Sequence, residues 1–108
     1  MPELLMVITT VPDRAIGLSL SNGLLEQKLI ACAQLLPALT SIYEWQGKVC
    51  EATEHLLFLK TTKDKYQQVE TYLQAQHPYD EPEIIALPIV LASAGYGQWI
   101  ESIVQGES

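Results

Sequence analysis

Arginine is nearly missing from this chain: Arg14 is the only one among six basic residues, which face 13 aspartates and glutamates. A formal charge of -7 leaves little with which to neutralise phosphates, the main source of nucleic-acid affinity. Nucleic acid is excluded as an expected partner, and anionic membrane surfaces for the same reason. Cysteine is scarce too. Cys32 and Cys50 cannot build a disulfide scaffold. Long apolar runs are absent: the longest, Ile84 to Ala92, contains Pro88 and falls well below the roughly 18 residues of a membrane span. The Met1–Ile8 segment shows no basic leader and too short an apolar run for a signal peptide. The expected setting is soluble, reducing and cytoplasmic. What the chain has is apolar residues, 48% of 108, enough for one core and one domain over residues 1–108.

The apolar run Leu4–Thr9 reads as a central strand covered on both faces. Val11-Pro12-Asp13 breaks it, and Asp13 can cap a helix running to about Lys28. Ile30 to Leu36 opens a second strand. After Pro37 the pattern alternates, with Leu39, Ser41, Tyr43 and Trp45 on one side and Thr40, Ile42 and Glu44 on the other. Gln46-Gly47-Lys48 is a turn, and a return strand runs from about Val49 to Thr61. Thr61 and Asp64 resemble a capping box opening a second helix with Tyr66, Val69 and Leu73 on one face. The two prolines of His77–Pro82 make that segment a loop. Glu83–Val90 is a last strand, placed at an edge or bulge by Pro88, and Ser93–Val104 a last helix.

This order, βαββαβ with an additional C-terminal helix, predicts an α+β, ferredoxin-like subunit: an antiparallel four-stranded sheet with both main helices on one face. The central hairpin arms are about twice the mean strand length of 5–6 residues. Such an overhang leaves an open edge and exposed aromatics, Tyr43 and Trp45 among them. Self-association is the expected way to cover them.

Six segments, in this order and spacing, resemble the CutA divalent-cation tolerance proteins. They are Thr10-Val11-Pro12-Asp13, Leu29-Ile30-Ala31-Cys32-Ala33, Tyr43-Glu44-Trp45-Gln46-Gly47-Lys48, Leu59-Lys60-Thr61-Thr62, His77-Pro78-Tyr79 with Pro82-Glu83-Ile84, and Tyr96 with Trp99-Ile100. The resemblance implies a homotrimer with long strands packed between subunits, architecturally similar to the PII signalling trimers, and an association with copper and other divalent cations. Family members proposed to ligate copper carry a first-strand cysteine and two adjacent histidines. Here those positions hold Thr9 and Gln76-His77, so His77 is the one candidate metal ligand carried over.

The residues themselves allow two readings at each candidate position. Cys32 reads as a small buried side chain or as part of a ligand site. Cys50, near the hairpin tip, is expected to be partly exposed, and His55 to be a satisfied structural histidine. His77 either stops a helix, its ring bonded to backbone, or joins Tyr79 and Glu83 in an inter-subunit cleft close to Lys60. Lys60 is a strand-terminal charge, or it faces a carboxylate such as Glu83 across a subunit boundary. Tyr43, Trp45 and Trp99 are expected at an interface or in the core. No phosphate loop, Gly-x-Ser-x-Gly or His-Glu-x-x-His motif is present, and no enzymatic activity is expected. The expected functions are metal tolerance with copper or another divalent cation or, alternatively, PII-like binding of a small anion in the inter-subunit clefts. A third reading makes the stable trimer a platform for another protein.

Overall fold

The computed structural model describes residues 3–106. Its elements are β1 (Leu4–Val11), α1 (Arg14–Glu26), β2 (Cys32–Trp45), β3 (Lys48–Thr62), α2 (Tyr66–Gln76), β4 (Ile85–Ile89) and α3 (Ala94–Val104). The strands form one sheet in the order β2-β3-β1-β4, with all neighbours antiparallel. This is the expected ferredoxin-like α+β subunit with its extra helix. No helix among the described residues is long and apolar enough to cross a membrane.

Period-2 alternation gives the sheet two different faces. Val7, Val11, Leu57 and Leu59 point at α1 and α2 and are wholly buried with Leu24, Val69 and Leu73. Burying a side chain of this size contributes roughly 1.5–3 kcal/mol, so this layer dominates the stability of the protomer. The opposite face carries Met6, Ile8, Leu56 and Phe58, with Ile85 and Leu87 beside them on β4. Among the described residues, only one end of that face is covered. There Leu4 and Ala31 pack on Ile100 and Val104 of α3.

Asp13 caps α1 as its sequence position suggests: Ile16 donates its backbone N–H to Asp13 Oδ1 at 2.9 Å. Pro88 lies on β4, an edge strand that pairs with β1 alone, where a missing N–H costs little. The hairpin closes through Gln46 at φ 51° and Gly47 at φ 79°, the left-handed pair that a tight two-residue turn requires. A break in register between Leu35 and Ala38, around Pro37, marks a bulge in β2.

Two sequence readings are corrected. Thr61 and Asp64 do not form a capping box: the Thr61 hydroxyl donates to the Leu29 carbonyl at 2.7 Å, which ties β3 to the exit of α1. The chain instead passes through a single 3-10 turn, Lys63–Lys65, with the Thr62 hydroxyl bonded to Asp64, before α2 starts at Tyr66. The last strand is also shorter than Glu83–Val90: it pairs with β1 only from Ile85 opposite Ile8 to Ile89 opposite Leu4, and the Thr9–Val11 end of β1 has no β4 partner.

Candidate functional site: an acidic cleft on the open sheet face

Beyond the end of β1, the hairpin arms continue without a third strand beside them, so their open-face side chains border a hollow. Ser41, Tyr43 and Trp45 come from β2, Ala52 and Glu54 from β3, and Thr10 from the last turn of β1. The loop after α2 closes the other wall with Tyr79, Asp80, Glu81 and Glu83. The cleft has a volume of about 670 Å³. Its lining includes four carboxylates and neither lysine nor arginine.

His77 fixes this loop. Its ring is 8% exposed; Nε2 lies 2.7 Å from the Thr10 carbonyl, and Nδ1 accepts the Tyr79 backbone N–H at 3.2 Å. Nδ1 accepts, so Nε2 carries the proton and donates to Thr10. Pinning His77 to the end of β1 places the following Tyr79 over the sheet, its ring 4.7 Å from the imidazole. Tyr79 then donates its hydroxyl to Glu54 Oε2 at 2.7 Å.

Glu54 is the chemical centre of the cleft and is only 7% exposed. Burial pushes its carboxyl upward. Hydrogen bonds from Ser41, Tyr79 and Thr10 outweigh that push and hold it below the usual carboxylate range, so it remains an anion. The same contact acts in reverse on Tyr79: burial first, then the Glu54 carboxylate, raise the phenol far above its ordinary value. The pair is a fixed negative charge held by a neutral donor.

The predicted site residues separate into two groups. Tyr79 and Glu83 meet in the cleft, with Tyr43 and Trp45 on its far wall. His77 stands behind the cleft as the anchor of its loop. Lys60 and Cys32 are cross-strand partners at the other end of the open face, so within one protomer Lys60 is not close to His77 or Glu83. The Lys60 ammonium lies 3.4 Å from the Tyr96 hydroxyl and 5.4 Å from the centre of that ring. Trp99 is exposed on α3, its ring 5.7 Å from that of Tyr96. Cys32 and Cys50 are both half-buried and unpaired. His55 is bonded through Nδ1 to the Leu36 carbonyl at 3.0 Å, the structural role expected of it.

The sequence reading missed Glu54, Ser41 and Thr10. A signal existed for Glu54: it shares strand parity with Leu56 and Phe58, so alternation puts a carboxylate on an apolar face.

A resident metal at His77 does not fit these residues. Both ring nitrogens are already engaged. The first-strand position where the resemblance implies a cysteine is Thr9, whose buried hydroxyl has no hydrogen-bond partner among the described residues. Among the described residues, no three His, Cys, Asp or Glu side chains gather closely enough to hold a metal ion.

The arrangement defines a class: a ferredoxin-like subunit with an overhanging hairpin, an open apolar sheet face, and an acidic cleft where the two meet. Comparison with known proteins then gives the family. The family profile described as CutA1 divalent ion tolerance protein matches residues 5–103. The chain is 41% identical over 95 residues to the divalent-cation tolerance protein CutA of Thermus thermophilus, covering 88% of this chain and 92% of that protein. It is 40% identical over 98 residues to the chloroplastic protein CutA of Arabidopsis thaliana, covering 91% of this chain and 54% of that protein. The crystal structure of CutA1 from Ehrlichia chaffeensis superposes with a TM-score of 0.91 at 38% identity, covering 96% of this chain and 97% of that one. This chain belongs to the CutA1 divalent ion tolerance family, and it spans about half the length of the Arabidopsis relative.

Proposed function

We propose that this protein is a non-enzymatic, cytoplasmic trimer that contributes to divalent-cation tolerance, copper among the cations, and that its working unit is the assembly rather than the single chain. The observation that carries the reading is the open sheet face. Met6, Ile8, Leu56, Phe58, Ile85 and Leu87 form an apolar surface that α3 covers at only one end. The overhanging hairpin adds Tyr43 and Trp45 to that face and carries Ile42 and Val49, the latter 78% exposed, on its reverse side, and Leu91 beyond β4 is 88% exposed. Exposed apolar surface of this extent on a small chain marks an interface. The number three comes from the family resemblance. The two unpaired cysteines accord with a reducing compartment.

The role in tolerance does not run through a copper ion resident on His77, because that ring is committed to holding the cleft loop. The assembly instead offers cations a repeated negative surface, since each chain contributes a net charge of -7. PII-like capture of a small anion is the second reading, and it depends on Lys60. The four carboxylates lining the cleft disfavour it.

Phe58→Asp places a charge in the middle of the open face and tests the proposal. In cells lacking their own copy of the gene, wild-type protein is expected to restore growth on copper and to sediment as a trimer. The variant is expected to sediment as a monomer and to fail. A monomeric variant that restores copper tolerance fully would contradict the claim that the assembly is the working unit.

A further inference from the structure

Along β3 the open-face positions are Glu54, Leu56, Phe58 and Lys60, so the apolar strip is negative at its hairpin end and positive at its α3 end. Six residues of strand separate the two charges by about 20 Å, too far for a lysine to reach its own cleft. Each charge therefore lacks its complement within the chain. The one ion pair among the described residues joins Lys63 and Glu3, and Lys60 rests on Tyr96 instead. The cleft holds Glu54, Asp80, Glu81 and Glu83 with no cation in its lining.

We propose that the cleft of one copy receives the Lys60 ammonium of the next copy, closing the assembly head to tail. The inference rests on the self-association proposed above and specifies its contact. A ring built from one repeated contact needs two different, complementary patches on each subunit, and these two ends of the open face supply them. Lysine suits the cleft in shape as well as in charge. Tyr43, Trp45 and Tyr79 offer aromatic surface to the aliphatic stem and a cation-π contact to the ammonium. Asp80, Glu81 and Glu83 are exposed at the rim, where an arriving charge meets them first, and the Glu54 anion sits at the floor. No other basic residue is as well placed. Arg14, Lys28, Lys63 and Lys65 lie on or beside the helical segments, and Lys48 is at the tip of the hairpin itself.

Carbodiimide cross-linking of the intact protein, which joins a lysine directly to a touching carboxylate, tests the contact. Chains with light and heavy isotopes are mixed, and linked peptides are identified by mass spectrometry. Links between Lys60 of one chain and Asp80, Glu81 or Glu83 of another are expected. Lys60→Glu should raise the concentration at which the assembly half-dissociates by about tenfold or more, and Lys60→Glu with Glu83→Lys should recover most of that loss. Lys60→Met, which keeps the stem and removes the charge, should give a smaller rise in the same direction. An oligomer that lacks these links, and whose dissociation is unmoved by either Lys60 substitution, overturns the seating while leaving self-association in place. A wild-type chain that stays monomeric at every concentration overturns both.

Discussion

Tyr79→Phe removes one oxygen atom and tests the reading of the cleft floor. In the native protein that hydroxyl donates to Glu54 Oε2 at 2.7 Å, and the carboxylate is 7% exposed. A hydrogen bond to a charged group contributes about 1.5–3 kcal/mol, and a largely buried anion that loses a donor bears part of its desolvation cost. The Ser41 and Thr10 hydroxyls beside Glu54 also favour its charged form, which keeps the loss near the middle of that range, at about 2 kcal/mol. For a chain of this size the urea slope is about 1–3 kcal/mol per molar, so the unfolding midpoint should fall by roughly 1 M. Both proteins must be compared at one concentration, because assembly shifts the midpoint by mass action.

The pH dependence carries a second signature. The folded state holds Glu54 below its ordinary range, so its contribution is complete above the unfolded carboxylate value of about 4.3 and is lost as pH falls through the folded value. The difference between wild type and Tyr79→Phe should therefore shrink in acid. Tyr79 is raised in the folded state, so its contribution is complete below about pH 10 and is lost as pH climbs toward the folded value. Wild type should lose stability more steeply than the phenylalanine variant in that alkaline range. A midpoint change under about 0.3 M, or parallel pH profiles, would refute the account of Glu54 as an anion held by Tyr79.

Other substitutions probe separate links. Gly23→Ala in α1 puts a Cβ 1.8 Å from the Tyr72 hydroxyl, so it should destabilise by about 1–3 kcal/mol in thermal unfolding. With Tyr72→Ala also present, the sign should reverse, because alanine exceeds glycine in a helix by about 1 kcal/mol. Asp13→Ala removes the α1 cap and should cost about 1 kcal/mol by urea titration. Copper(II) titrated calorimetrically into wild type and His77→Ala should give matching heats, since the His77 ring already uses both nitrogens. A heat that disappears with His77 would restore it as a metal ligand.

The fold was largely legible because its signals are local. Asp13 followed by a helical stripe, alternation from Leu39 to Trp45, and Gln46-Gly47 at the turn each act within a few residues. Thr61 misled for the complementary reason: its hydroxyl bonds Leu29, 32 positions earlier, and no local rule anticipates that competitor. The cleft was legible in part. His77-Pro78-Tyr79 stood out, yet the partner of Tyr79 lies 25 positions away on β3, and only strand parity hinted at a carboxylate on that face. One reading of the residues pairs Lys60 with a carboxylate such as Glu83 across a subunit boundary, and within one protomer Lys60 sits at the far end of the open face from Glu83. Separations of this kind depend on register, which is fixed by the β2 bulge and by the lengths of β1 and β4 rather than by any single motif.

The central claim is that the open sheet face is an interface between copies. Light scattering across a dilution series of the purified wild-type chain measures this most directly. The account predicts a mass of about 36 kDa, three times the 12.0 kDa chain, that persists to low micromolar concentration. A steady 12.0 kDa particle at every concentration would contradict it.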